Sequence, residues 1–179
     1  NFSKFWGATE VSKIETTYRF SQKLIEISGG FIMQNPVQIK KSIRGKSEDF
    51  GFPLGEISGY TDKFAIEFMS KKLNDSHKGS SVFVTGRYSF DAKLLNDSGL
   101  FSCQYNNTSG FVDVKAKSRP DLNMVFLTAH KSKGLQADYV FIINNKNSRM
   151  GFPSKIQDAP ILDLLLDNCN QYPHAEERR

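Results

Sequence analysis

One stretch concentrates groups able to do chemistry: Leu127-Thr128-Ala129-His130-Lys131-Ser132-Lys133-Gly134-Leu135-Gln136-Ala137-Asp138. From Thr128 to Gly134 it carries two hydroxyls, an imidazole, two ammonium groups and a glycine. Backbone amides, hydroxyls and Lys side chains in such a loop can hold phosphate oxygens, and Gly134 frees the backbone for a φ or a close approach that a side chain forbids. By residue type alone the same run also reads as a solvated basic turn. A second run, Arg44-Gly45-Lys46-Ser47, imitates the tail of a phosphate-binding Walker A loop. The glycine required five positions before Gly45 is Lys40, and no buried strand feeds the run, so it is not read as a P-loop. Cys103 and Cys169 stand apart without a CxxC or Cys/His partner, so no metal site is assigned.

Such loops need a scaffold that sets strand ends in a row. Met124–Leu127 and Tyr139–Ile143, flanking the basic loop, are almost continuously apolar, the pattern of strands covered on both faces. Ser81–Thr85 predicts another strand. Thr61 caps a helix through about Leu73, with Phe64, Ile66, Phe68 and Leu73 as its apolar stripe and Lys71-Lys72 where the helix dipole favours cations. Val11–Thr17 suits a strand, and Ser21 then opens a short amphipathic helix carrying Leu24, Ile25 and Ile27. Ser89–Leu95 predicts a short helix, and residues 101–117 a strand pair around the turn-rich Asn106–Gly110. Residues 40–59 read as a polar, mostly irregular insertion with one strand near Gly55–Ser58. Buried strands alternating with helices predict an α/β fold with a mostly parallel sheet. Ligands gather at the carboxyl ends of such strands, which singles out the loops after Thr17, Thr85 and Leu127.

Composition narrows the classes. The 179 residues carry 24 Lys and Arg against 19 Asp and Glu, a net charge of +5, which favours a polyanionic partner. No apolar run approaches the roughly 18 residues of a membrane span. Two distant cysteines predict a reducing, cytoplasmic setting rather than a disulfide framework. Both ends lack start, cap or turn signals and read as cuts in a longer protein.

Thr128-Ala129-His130-Lys131-Ser132-Lys133-Gly134-Leu135-Gln136-Ala137-Asp138-Tyr139-Val140 resembles motif V of the UvrD/Rep-like superfamily 1 DNA helicases, usually written T-x-H-x-x-K-G-L-E. Thr16-Thr17-Tyr18-Arg19-Phe20-Ser21 is similar to motif IV around N-Y-R-S, and His174-Ala175-Glu176-Glu177-Arg178-Arg179 to the opening of motif VI. Val82–Ser89 is similar to the L-Y-R-x-N stretch, with Ser89 where the family usually shows Asn. Gly151-Phe152-Pro153 looks most like the DNA helicase IV branch.

The resemblance implies that residues 1–179 form the second RecA-like motor domain of a helicase, a P-loop NTPase-type sheet truncated at its C-terminus. In that family such a domain closes over ATP and Mg2+ held mainly by the N-terminal RecA-like domain of the same polypeptide and grips single-stranded DNA. Tyr18 would then stack on adenine and Arg19 would reach the γ-phosphate as the catalytic arginine. An Arg fork at a strand end suits that task, though Arg19 by itself also reads as a surface ion pair. Gly134 and Gln136 match positions near the nucleotide, Gln136 where Glu is usual. Thr128, His130, Arg87 and Ser89 would contact DNA, with Lys131 and Lys133 adding attraction. His130 as a plain loop cap and Arg87 as sheet-edge cover are the bland alternatives. Walker A, an acidic Walker B and the end of motif VI are absent, so these 179 residues alone are expected to be inactive. Only 41 positions separate Arg87 from Thr128, where UvrD and Rep insert a large accessory domain. The implied activity is ATP-driven 3′ to 5′ translocation and unwinding. The rival is a non-catalytic helicase-like module that binds nucleic acid or protein.

Overall fold

Val82, Val84, Met124, Phe126 and Leu127 are all 4% exposed or less, and two parallel strands carry them side by side. The computed structural model describes residues 5, 7, 12–34, 42–47, 54–58, 61–152, 154–156 and 161, which fall into two compact units, Asn1–Ser58 and Gly59–Arg179. Motif VI and Pro153 lie outside the described residues.

In the first unit, strand β1 (Thr16–Ser21) leads into helix α1 (Gln22–Ile32), and β2 (Arg44–Ser47) pairs with β1 in parallel. Ser21 Oγ accepts from the Leu24 amide, the cap that turns strand into helix. The strand expected at Gly55–Ser58 is not there, since residues 54–58 carry no regular structure. It lies instead at Arg44–Ser47, where Gly45 lets the strand approach β1: a Cβ at Gly45 would meet the Phe20 carbonyl oxygen at 2.7 Å and the Gln22 nitrogen at 2.9 Å. The Walker-like run is thus a strand and not a phosphate loop. β1 itself starts later than the β-branched pattern from Val11 implied.

The second unit begins with helix α2 (Asp62–Lys72), followed by β3 (Ser81–Gly86), helix α3 (Ala92–Asp97), β4 (Phe101–Tyr105), β5 (Val112–Ala116), β6 (Asn123–Thr128) and β7 (Tyr139–Ile142). The sheet order is β4-β5-β6-β3-β7. β3 runs parallel to β6 and β7, while β5 is antiparallel to both neighbours, so it is the single reversed strand. The expected strand pair at 101–117 is this β4–β5 hairpin. With its flanking helices, the sheet makes an α/β fold of the RecA-like kind.

Thr61 caps α2, its Oγ1 accepting from the Phe64 amide at 3.3 Å. The buried stripe of α2 is Ile66, Met69 and then Leu73 just beyond it, not Phe64 and Phe68. At 100° per residue Phe64 and Phe68 each sit two positions from Ile66, on the other side of the helix, and Phe64 is 41% exposed. A second correction concerns β7. Its run is apolar, yet Val140 and Ile142 are 55% and 56% exposed, because they share the uncovered face of β7 while Tyr139 and Phe141, on the other face, pack against the core. Among the described residues no helix is long and apolar enough to cross a membrane.

At the amino ends of the strands, Arg119 forms a bidentate pair with Asp121, both contacts 2.8 Å, and donates to the Leu73 and Ser76 carbonyls. The guanidinium holds the Asp121 carboxyl down to about 2. Asp121 therefore stays charged in the folded chain at pH values where the unfolded chain protonates it. Its stabilisation is full above about pH 4 and is lost as pH falls toward 2. Urea unfolding of Asp121→Asn should show lower stability than the parent at pH 6 and a difference that closes near pH 2; a constant difference across this range would contradict the pairing.

Candidate nucleic-acid interface

Gly86 and Thr128 are register partners at the ends of β3 and β6, so the two loops that follow leave the same rim of the sheet. The Ala129 amide donates to the Gly86 carbonyl at 2.9 Å and extends the pairing one step into the loop. From there the chain is folded by its own polar groups. Ser132 N donates to the Thr128 carbonyl at 3.0 Å, Lys131 N to Thr128 Oγ1 at 3.4 Å, and Ser132 Oγ to the Ala129 carbonyl at 2.8 Å. Gly134 follows at φ +84°, the left-handed region, with open space where a Cβ would stand. Its role in this fold is conformational rather than one of close approach.

Arg87 Nη1 lies 3.2 Å from His130 Nδ1. A guanidinium only donates, so Nδ1 accepts and the imidazole proton sits on Nε2, leaving that N–H as a donor. Arg87 also lies over the Tyr88 ring, 5.3 Å from its centroid. The Lys131 ammonium reaches across to the Gly110 carbonyl at 2.8 Å, tying the basic loop to the β4–β5 turn. That carbonyl is neutral, so the charge of Lys131 is located but not cancelled. Lys133 and Gln136 are exposed in the same loop, and Ser89 is exposed at the start of the 3-10 turn Ser89–Asp91. Arg87, Thr128, His130 and Lys131 are thus brought together, with Lys133, Gly134 and Gln136 on the same loop. The arrangement offers a cationic rim with hydroxyl and imidazole donors, suited to phosphate oxygens.

Tyr18 and Arg19 belong to the first unit. Tyr18 is 73% exposed with the Lys46 ammonium 5.5 Å from its ring centroid, and the Arg19 amide donates to Thr17 Oγ1 at 3.3 Å.

The residue that sequence reasoning missed is Asp91, 2% exposed beneath the rim. Its carboxylate accepts from the Tyr88 amide and from Asn144 Nδ2, each at 2.9 Å. Asn144 adopts φ 55°, a conformation Asn tolerates better than most side chains, and also donates to the Met150 carbonyl. Gly86 makes room: a Cβ there would stand 2.6 Å from Asp91 Oδ2 and 2.8 Å from its Cβ. Tyr88 is held further by its hydroxyl, which donates to Ser154 Oγ at 2.9 Å. Gly151, of the Gly-Phe-Pro run, lies so close to the Lys146 carbonyl that no Cβ fits. A helical residue sequence-close to Arg87 carries no signal of burial, and only the Gly86–Asp91 spacing hinted at the contact.

A five-stranded, mostly parallel sheet with flanking helices is an α/β fold consistent with a RecA-like domain. The chain is 31% identical over 179 residues to DNA helicase IV of Escherichia coli (strain K12), an alignment that covers 99% of this chain and 23% of that protein. The similarity to DNA helicase IV, a UvrD/Rep-type superfamily 1 helicase, supports a helicase-related family for this chain. It spans about a quarter of the length of the curated relative it matches. No protein-family profile and no solved structure matches it.

Gly86→Ala should cost about 1–3 kcal/mol by forcing the Asp91 carboxylate aside. Asp91→Ala should cost a similar amount by leaving the Tyr88 and Asn144 donors without their acceptor. Because both act on one contact, a double-mutant cycle in urea should give less than the sum, and strict additivity would show that the contact does not form.

Proposed function

We propose that this chain is the second motor domain of an ATP-dependent DNA helicase that moves 3′ to 5′ along single-stranded DNA in the cytoplasm. The observation that carries the reading is the shared rim on which Arg87, Thr128 and His130 converge, at the sheet edge where the motor chemistry of this family is expected. Thr128 Oγ1, accepting from the Lys131 amide, keeps its own proton to donate. His130 Nε2–H and the Arg87 fork add two more donors, and Lys131 and Lys133 raise the local positive potential. Such contacts position a phosphate backbone without reading its sequence.

ATP and Mg2+ would be held mainly by the N-terminal RecA-like domain of the same polypeptide. This chain would supply Tyr18 to stack on adenine, Arg19 to meet the γ-phosphate, and Gly134 and Gln136 beside the nucleotide. A guanidinium stabilises charge as it spreads over the transferring phosphoryl oxygens, which is why Arg19 is assigned the catalytic role. Ser89 would extend the DNA contact begun by Arg87. Binding and release of nucleotide would then alternate the grip of the rim on the strand.

In the intact protein, Arg19→Ala should lower DNA-stimulated ATP hydrolysis on the order of a thousandfold while leaving DNA affinity within about twofold. Equal losses in both would contradict the assignment. His130→Ala should weaken single-stranded DNA binding similarly for all sequences. Lys133→Ala should also reduce the slope of log affinity against log salt by about 0.7. An intact protein that binds DNA but whose nucleotide turnover DNA leaves unchanged would instead be the non-catalytic module.

A further inference from the structure

Phe90 is 51% exposed, a large apolar ring at the very rim where cations gather. Its ring is stacked on Tyr88, centroids 5.0 Å apart and planes 7° from parallel. Tyr88 in turn lies beneath Arg87, which touches His130, so four flat groups follow one another from Phe90 to the imidazole. The ladder is rigid. Tyr88 is fixed at its amide by Asp91 and at its hydroxyl by Ser154, and Phe90 is the middle residue of the turn Ser89–Asp91, next to the buried Asp91. Packing does not account for Phe90, since half of it faces solvent and its stacking partner is itself only half-buried.

We propose that Phe90 is a stacking platform for one unpaired base of the single strand whose phosphates lie on the Arg87–His130 rim. The proposal rests on the single-stranded DNA reading above and adds a base-binding position to it. Aromatic faces bind any base, and an exposed ring beside a cationic groove is the usual pairing in single-strand recognition. The walls next to Phe90 select the uncharged part of the nucleotide. Phe90 lines an open cavity of about 220 Å³ together with Leu94, Asn144, Asp62, Asp91, Asp97 and Lys93. Asp62 is ion-paired to Lys146 at 2.6 Å, and Asp97 stands on α3 at the opposite wall. With Lys93 and Lys146 counted, three carboxylates still stand against two ammonium groups at this cavity, so a phosphate gains less here than on the cationic side and a base is the part that enters. Asp97 and the Asn144 Oδ1 then offer acceptors for the amino edge of a base.

The test uses the full chain and equilibrium anisotropy with two labelled strands of equal length, a deoxyadenylate homopolymer and its abasic counterpart. Phe90→Ala should weaken binding to the homopolymer about tenfold and leave binding to the abasic strand unchanged. Phe90→Trp should restore homopolymer affinity, and Phe90→Leu, which keeps apolar bulk without a π-face, should behave as Phe90→Ala does. Arg87→Ala should weaken both strands alike, because it acts on phosphate. Phe90→Ala lowering both strands equally, or neither, overturns the platform. In that case intact binding and the Arg87→Ala loss leave the phosphate rim standing. A parent chain that binds neither strand overturns both readings.

Discussion

The Asp91 carboxylate is the contact on which the working rim depends. A charge 2% exposed is tolerable only when its hydrogen bonds replace water, and Asp91 takes one donor from each of two loops, Tyr88 after β3 and Asn144 after β7. Gly86 allows the carboxylate to press against the strand end itself. The consequence is directional. With the Tyr88 amide fixed, Arg87 is a single residue suspended between the end of β3 and a locked turn, and its guanidinium is delivered to His130 on the neighbouring loop. A charged side chain that must be found in one place at an exposed site loses much rotamer freedom. Here the buried network beneath it bears that ordering in advance.

The two rims of the sheet use charge in opposite ways. At the amino ends Arg119, Asp121 and Asp138 are answered within the chain. Arg119 meets Asp121 and a run of carbonyls, and Asp138 accepts from both the amide and the hydroxyl of Ser81. Those hydrogen bonds hold the Asp138 carboxyl below its ordinary range. At the carboxyl ends, by contrast, the Lys131 ammonium meets a neutral carbonyl and Lys133 is exposed, and no carboxylate of the described residues pairs with either. Like charges gathered without counter-charges oppose folding and favour an anion from outside. The charges singled out at the amino rim are thus answered within the chain, whereas the lysines of the carboxyl rim are left to attract anions.

Local signals in the sequence were readable where one residue decides the structure. Thr61 and Ser21 cap their helices as their hydroxyls require, and Gly134 takes the positive φ that its place in the basic loop implied. Signals that depend on what lies opposite were not. Nothing in Tyr139–Ile143 distinguishes a strand covered twice from an edge strand that exposes Val140 and Ile142. Along α2, Phe64 and Phe68 outweigh Met69 in hydrophobicity, yet the position of Leu73 fixes the buried face and leaves the aromatics off it. Arg44–Ser47 reads as polar loop because its strand is permitted by Gly45 packing on the β1–α1 junction, a contact 23 residues away in the chain at Gln22. Asp91 was invisible for the same reason, since burial of a carboxylate is decided by donors that arrive from Tyr88 and Asn144.

The short interval between β3 and β6 bears on how the rim is held. It contains only α3 and the β4–β5 hairpin, whose turn presents the Gly110 carbonyl to the Lys131 ammonium. Gly110 adopts φ +70°, and a Cβ there would stand 3.8 Å from that ammonium, so the turn approaches the loop without obstruction. The hairpin thus supports the basic loop from the side opposite β3. A lysine bonded to a neutral carbonyl keeps its full charge and two further protons. Lys131 therefore serves the loop and the field at once, whereas Lys133 is exposed and has no such tether among the described residues. On the proposed helicase reading, the first kind of cation would fix the position of the loop and the second would adapt to the phosphate.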